Sequence, residues 1–285
     1  DAKVSTTLVI LPGSDGPPVD GHVEAAYDQV AETLDLGSSW FATPATRVDA
    51  AGTLGQTLKV RLRTTNLDDL LPAIAMVEVN PPAALPLKLN NGEATAEGAV
   101  TGSLDNPRFI GTVTVTNGMI EGRGFERFSA QVEAGRQEVQ ATAVRLVRGS
   151  TEVTGTAGIR APFADGPITA SLTMRNASIA EFAREAGSDA PVSGTVAATV
   201  RVTGSVRNPE AQIVADIAQP EAYGEQMSRI RATLNYKTDS IEIASGEVTD
   251  GVANVRFGGA YRKTGADWKT GELSIDASTQ SLPLG

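Results

Sequence analysis

Apolar and polar residues alternate one by one along most of this chain. Val113 and Val115 alternate with threonines, and Ile213, Ala215 and Ile217 repeat the spacing further on. Successive side chains of a β-strand point to opposite faces, so such runs predict strands with one apolar and one polar face. Turn-forming residues separate the runs, and we expect an antiparallel meander of strands about five to eight residues long. The turn signals are Asn91-Gly92, Asn117-Gly118, Asp165-Gly166-Pro167, Asp250-Gly251 and Lys263-Thr264-Gly265.

The chain contains an internal repeat with a period of 102 residues. Residues 92–107 align with residues 194–209 at that offset, and eight of these 16 positions are identical. Further along, identities fade but apolar positions keep their parity, as a sheet with one buried face requires. The sequence therefore predicts one continuous, elongated β-structure of three parts. These are the C-terminal part of one β-repeat (1–91), a complete repeat (92–193) and most of a further repeat (194–285).

Two short helices are predicted to interrupt the strands. Asn66 and Ser178 are suitable N-cap residues, and Asp69 and Glu181 follow three positions later, as in a capping box or its shorter analogue. Helices of about two turns are not stable alone, so we expect both to dock on an edge or end of the sheet. Their expected apolar faces are Leu67, Leu70 and Leu71 in the first helix, and Ile179, Phe182 and Ala183 in the second.

An antiparallel sheet with one apolar face has to bury that face. A closed sandwich shows the same alternation, so the pattern alone leaves a sandwich and an open groove as alternatives. The inward positions are mostly small residues, which would leave a trough partly unfilled. We expect an all-β fold of roughly 18 to 20 strands, an elongated antiparallel meander curled into a U-shaped, taco-like groove with an apolar lumen and two short helices. The residues expected to line the groove are Val60, Leu62, Val113, Val115, Leu172, Met174, Ile213, Ala215, Ile217, Leu234 and Tyr236.

Composition excludes several classes of function. The 285 residues include 24 Lys and Arg against 34 Asp and Glu, a formal net charge of -10, which argues against a nucleic-acid partner. The absence of Cys excludes disulfides and thiolate metal sites. No apolar stretch is long enough for a transmembrane helix, and the first residues do not resemble a signal peptide. We expect the chain to be a piece of a longer protein.

No set of residues predicts a catalytic, metal or cofactor site. His22, the single histidine, lies in a polar, turn-like context, and no Gly-x-Ser-x-Gly motif presents a nucleophile. Asp68 and Asp69 are adjacent on a predicted helix, so their side chains point about 100° apart and helix capping is the expected role. Phe41 and Trp268 are expected either to cap the trough locally or to lie in the core. We therefore expect a protein that is not an enzyme and that uses no cofactor.

The repeated motif Thr-Gly-Ser-x-x-Asn-Pro resembles the TamB and AsmA-like proteins of Gram-negative envelopes. It occurs here as Thr101–Pro107 and Thr203–Pro209, each followed by a predicted strand. Residues 43–52, which are similar to the strand that usually precedes the short helix, and the Asn-Leu-Asp-Asp-Leu element at 66–70 extend the resemblance. Together these features cover essentially the whole chain.

The resemblance implies a long U-shaped β-sheet with a hydrophobic lumen in the periplasm, within a parent protein anchored in the inner membrane. Its implied function is to carry phospholipid acyl chains between the inner and outer membranes during envelope biogenesis. The implied partners are phospholipid, both membranes through parts outside this chain, and an Omp85-type outer-membrane barrel.

Two other functions stay open at the level of the sequence. The first is a scaffold that assists the assembly of outer-membrane proteins or autotransporters with the barrel partner, using open strand edges as templates. The second is an adhesin or stalk built from repeated sandwich modules, which would have closed, separate cores.

Overall fold

A computed structural model describes residues 2–10, 18–72, 84–120, 122–161, 163–185, 187–251, 253–265, 268 and 270–281. Within these residues the chain forms 18 β-strands, one α-helix and one short 3-10 helix, so the expected all-β fold is confirmed. The strands belong to two compact units, unit 1 (1–149) and unit 2 (150–285). Their boundary does not coincide with the repeat boundaries predicted at residues 92 and 194.

Unit 1 is an antiparallel meander in which each strand pairs with the next strand along the chain. A 3-10 helix (Leu67–Leu70) lies between its fifth and sixth strands. The strands are β1 (Ala2–Ile10), β2 (Val19–Asp28), β3 (Thr33–Ala42), β4 (Thr46–Leu54), β5 (Thr57–Thr64), β6 (Leu87–Gly102), β7 (Pro107–Ile120), β8 (Arg123–Ala134) and β9 (Glu138–Arg148).

Unit 2 follows the same plan, and its helix α1 (Ile179–Glu185) lies between β11 and β12. Strand β13 pairs both with the two-residue strand β14 and with β15. The strands are β10 (Thr151–Arg160), β11 (Ile168–Ser178), β12 (Val192–Gly204), β13 (Pro209–Ala222), β14 (Glu225–Gln226), β15 (Arg229–Lys237), β16 (Ser240–Asp250), β17 (Ala253–Lys263) and β18 (Gly271–Ser281).

Most strands are longer than predicted, and in β6 and β7 the reason is that two of the predicted turns are β-bulges. The prediction of turns at Asn91-Gly92 and Asn117-Gly118 is wrong: both pairs lie inside strands, β6 and β7. Asn91 and Asn117 adopt left-handed φ angles of 50° and 48°, and the register between the two strands shifts at this point. The same backbone conformation serves turns and bulges, so the residue types alone do not distinguish them. The other three turn signals do lie where one strand ends and the next has not begun, although Asp250 and Lys263 are themselves the last residues of β16 and β17.

The repeated motif forms the same tight turn twice. Strand β7 spans 107–120 and β13 spans 209–222, so their bounds differ by the 102 residues of the sequence repeat. Before these strands, Gly102 and Gly204 have φ angles of 86° and 93°. A Cβ atom at either glycine would overlap the carbonyl oxygen of the Asn four residues later. The motif therefore needs glycine at this position for steric reasons.

The two predicted helices are present and capped, but they differ in type. The first is a 3-10 helix, and the Asn66 side chain accepts a hydrogen bond from Asp68 N at 3.2 Å. The second is α1, where Ser178 Oγ accepts from Glu181 N at 3.4 Å. Helix α1 packs mainly on β12. Phe182 was predicted to lie on the apolar face with which this helix docks on the sheet. It is not buried there, since 44% of its surface is exposed.

Candidate functional site: apolar sheet faces

The strands of unit 2 direct apolar side chains to one side, here called the apolar face of unit 2. Residues directly opposite each other in antiparallel strands point to the same side, so the register identifies the members of this face. One row crosses eight strands without a polar side chain: Gly155, Leu172, Val200, Ile213, Leu234, Ile243, Gly259 and Ile275. The neighbouring row toward α1 is also apolar across the same strands. An apolar surface therefore continues from β10 to β18.

All the groove residues predicted in unit 2 lie on this face. They are Leu172, Met174, Ile213, Ala215, Ile217, Leu234 and Tyr236, and each is half-buried. Half-burial is the state expected of side chains that touch their row neighbours but have no second layer packed over them. Near the edge strand the face is more open, since Ile275 is 62% exposed.

The opposite side of the same strands is polar. The row next to Ile213 contains Thr156, Ser171, Arg201, Gln212, Asn235, Glu242, Ala260 and Ser274. On this polar face Arg229 Nε donates to Asp216 Oδ1 at 2.7 Å, and Arg231 lies 3.5 Å from the same carboxylate. The hydrogen bond and positive charge of Arg229, reinforced by Arg231, lower the pKa of Asp216. The unit thus has one charged, hydrated face and one apolar face.

Unit 1 has the same two-sided construction. Leu62 and Val113 both pair with Ala96, and Val60 lies in the neighbouring row of the same face. Val115 also lies on this side, which is the apolar face of unit 1. The four groove residues predicted in this unit are therefore brought together on one face.

Val115 is nevertheless part of a closed core and not an open surface. It is only 2% exposed, and it packs with Leu67 of the 3-10 helix and with Ala94 and Phe125. Leucines at the start of β6 and on the 3-10 helix cover this cluster further. The helix therefore docks on the apolar face, as predicted, but it removes Val115 from the surface that a ligand could reach.

A buried hydrogen-bond network holds this 3-10 helix in place. Thr64, with 0% exposure, donates to Asn66 O at 2.7 Å and accepts from Asn66 N at 3.0 Å. Its hydroxyl oxygen lies 2.7 Å from that of Thr46, whose single proton is shared between Thr64 Oγ1 and Asp69 Oδ2. Asp69 Oδ2 accepts from Thr43 Oγ1 at 2.5 Å and from Thr46 Oγ1 at 3.0 Å. Asp69 thus binds the hydroxyls of Thr46, at the start of β4, and of Thr43, just before that strand. Its role is therefore larger than the predicted helix capping.

The small residues of the apolar faces leave less empty space than expected. In unit 1 the ring of Phe109 lies over Gly98 and Gly111, which are paired across β6 and β7. In unit 2 the ring of Phe257 lies over its partner Gly246. An aromatic ring that lies flat on a strand glycine fills the volume of the missing side chain. At these places the aromatic rings of Phe109 and Phe257 occupy the space of the expected trough.

Aromatic residues gather at one end of the strands in unit 2. The Trp268 ring lies 5.9 Å from the ring of Tyr236 and 6.0 Å from that of Tyr261, measured between centroids. Tyr261 Oη donates to the carbonyl of Trp268 at 2.9 Å. Lys263 Nζ lies 5.6 Å from the centre of the Trp268 ring. Trp268 therefore caps the apolar face locally, which is one of its two predicted roles.

Trp40 and Phe41 lie on opposite faces of β3. The depression around Trp40 was not predicted from the sequence. Phe41 is on the apolar side, 46% exposed. Trp40 lines an open depression of about 900 Å³ on the polar face of unit 1, beside Arg61 and Glu97. The guanidinium of Arg47 stacks on the Trp40 ring at 4.5 Å. The alternation of faces along β3 was the signal that could have placed Trp40 there.

The one histidine of the chain pairs with a carboxylate on its own strand. His22 lies inside β2, so its predicted turn context is wrong, and its Nε2 is 3.2 Å from Glu24 Oε1. This hydrogen bond, together with one from Ser38 N, lowers the pKa of Glu24. The described residues also contain no group of three or more His, Asp or Glu side chains placed to hold a metal ion.

Comparison with known proteins provides no assignment. No protein-family model, no curated protein and no solved structure matches this chain. Among the described residues, no helix has the length and apolar character needed to cross a bilayer.

Proposed function

We propose that this chain is a segment of a periplasmic bridge protein whose apolar sheet faces bind phospholipid acyl chains and carry them between the inner and outer membranes. The observation that carries the proposal is the row of eight apolar positions in unit 2, bordered on the other side of the sheet by a polar row. The resemblance to TamB and AsmA-like proteins contributes the envelope location and the U-shaped groove, in which the apolar faces form the walls.

Burial of hydrocarbon is sufficient to drive such binding. Each methylene group removed from water contributes about 0.8 kcal/mol, so acyl chains bind without specific polar contacts. Successive strands of unit 2 offer similar apolar side chains, so the free energy of a bound chain changes little from one strand to the next. This surface favours sliding along the sheet and gives the movement no direction of its own.

The single-sheet architecture of each unit supports this proposal over an adhesin made of sandwich modules. Within the described residues, each unit has one sheet, and its first strand does not pair with its last. A sandwich module would cover the apolar face with a second sheet.

The test compares two substitutions on the same strand, β13. Ile213 is half-buried on the apolar face, whereas its neighbour Val214 is 50% exposed on the polar face. Ile213→Asp places a charge among acyl chains, and Val214→Asp places the same charge in water. Proteins are expressed in the periplasm and examined by native mass spectrometry and lipid extraction, with circular dichroism to check folding.

We expect phospholipid to accompany the parent protein and the Val214→Asp variant, and to be mostly lost from Ile213→Asp. Equal lipid content in the two folded variants, or none in the parent, would contradict the proposal.

A further inference from the structure

The two ends of the strands in unit 2 are built differently. At one end β11 leads into α1, and the apolar residues beside this helix are fully buried, with Ala177 at 1% and Val196 at 6% exposure. At the opposite end, Tyr236 lies one residue before the end of β15, and Tyr261 lies two residues before the end of β17. Helix α1 therefore closes the apolar face at the ends of β11 and β12, and at the opposite end of the strands no helix lies among the described residues.

The open end is lined by amphipathic side chains, which we call the aromatic rim: Tyr236, Tyr261 and Trp268. Trp268 is 37% exposed and lies between the two tyrosine rings. Lys263 is two positions beyond Tyr261 on the same side of β17, with its ammonium group near the Trp268 ring. Among the described residues, Lys263 Nζ has no ion-pair partner and the Tyr236 hydroxyl has no hydrogen-bond partner.

The chemistry of this rim matches the boundary between hydrocarbon and head group in a lipid. Tyrosine and tryptophan have an apolar ring and a polar tip, and they concentrate where apolar material meets water. The ammonium group of a lysine attracts a phosphate. We propose that the aromatic rim and Lys263 bind the phosphate-bearing head group of a phospholipid, while its acyl chains run along the apolar face toward α1. This inference rests on the proposed function and adds a fixed orientation for the lipid.

The width of the apolar face agrees with this orientation. Tyr236 and Ile230 are both on the apolar face, six positions apart on β15. At the rise of an antiparallel strand, this separation is about 20 Å. The hydrocarbon of one bilayer leaflet is about 15 Å thick, half of the full hydrocarbon core. An acyl chain therefore fits between the rim and the helix end without leaving the apolar face.

The first test uses Trp268 as a fluorescent probe of the bound lipid. Trp40→Phe removes the other tryptophan, which lies on the polar face of unit 1. This variant is loaded from phosphatidylglycerol vesicles that contain a nitroxide-labelled phospholipid, and it is then separated from them by gel filtration. In one preparation the nitroxide is on the head group, and in the other it is near the end of an acyl chain.

We expect the head-group nitroxide to quench Trp268 more strongly. Stronger quenching by the acyl-chain nitroxide would overturn the inference and leave the proposed function intact.

The second test separates phosphate recognition from acyl-chain binding. Lys263→Gln is compared with Lys237→Gln, because Lys237 ends strand β15, which is separated from β17 by β16, and lies on the polar side. The ligands are a short-chain phosphatidylglycerol and a monoacylglycerol of the same chain length, which lacks the phosphate. We expect Lys263→Gln to weaken phosphatidylglycerol binding roughly threefold to tenfold and to leave monoacylglycerol binding unchanged. We expect no effect of Lys237→Gln.

Equal losses for the two ligands, or no loss for either, would show that Lys263 does not bind the phosphate. If the parent protein bound neither ligand, this result would instead contradict the proposed function.

Discussion

Removing the buried hydroxyl of Thr64 tests how the 3-10 helix is held on the apolar face. Thr64→Val keeps the size and shape of the side chain but deletes its hydrogen bonds to Thr46 Oγ1, Asn66 O and Asn66 N. A hydrogen bond contributes about 1 kcal/mol net, and buried partners left unpaired add to the loss. With two full hydrogen bonds removed at a position that is 0% exposed, and a third whose proton is shared with Asp69, we expect the free energy of unfolding to fall by about 2–3 kcal/mol.

Thr64→Ser is the matched control, because it keeps the hydroxyl and removes one methyl group. Its cost should be about 1 kcal/mol. Urea titrations followed by circular dichroism measure both variants, and at unchanged slope the Val variant should shift the midpoint by about 1 M. If Thr64→Val were as stable as Thr64→Ser, the hydroxyl network would not be what fixes the helix.

Two further predictions concern the packing and the charges of the sheet. Gly98→Ala places a Cβ against Ile110 O and Gly111 Cα, so the free energy of unfolding should fall by about 1–3 kcal/mol; an unchanged urea midpoint would contradict this packing. The lowered pKa of Asp216 beside Arg229 stabilises the folded state at pH values above the ordinary carboxyl pKa of about 3.9, and this contribution is lost as the pH falls through the lowered pKa. Asp216→Asn should therefore unfold at lower urea concentration at neutral pH and lose less stability in acid than the parent, whereas parallel pH profiles would exclude the pair as a contributor.

The alternation of apolar residues was enough to predict the all-β class, the antiparallel meander and the shared faces of the residues that were expected to line a groove. This inference is robust because a strand has a period of two, and a shift by one residue would expose the whole apolar set. Val60 and Leu62 in unit 1, and Ile213 and Ile217 in unit 2, each share a face as their spacing required.

Features that depend on contacts between distant residues could not be predicted. The bulges at Asn91 and Asn117 use residues that also favour turns, so only the pairing of β6 with β7 distinguishes the two. The network of Thr64 with Thr46 joins positions 18 residues apart, and single threonines carry no signal of it. Trp268 was recognisable as unusual in a chain poor in aromatic residues, but its position between two tyrosines depends on the path of the segment before β18.

The same pairing rule has a consequence for how each unit acquires its structure. Because strands pair with their neighbours in the chain, hairpins can form in the order in which the polypeptide emerges from a ribosome or a translocation channel. The paired strands are close in sequence, so the entropic cost of closing long loops is largely avoided. A meander of this kind is therefore suited to stepwise folding from its N-terminal strand onward, with each completed hairpin acting as the template for the next.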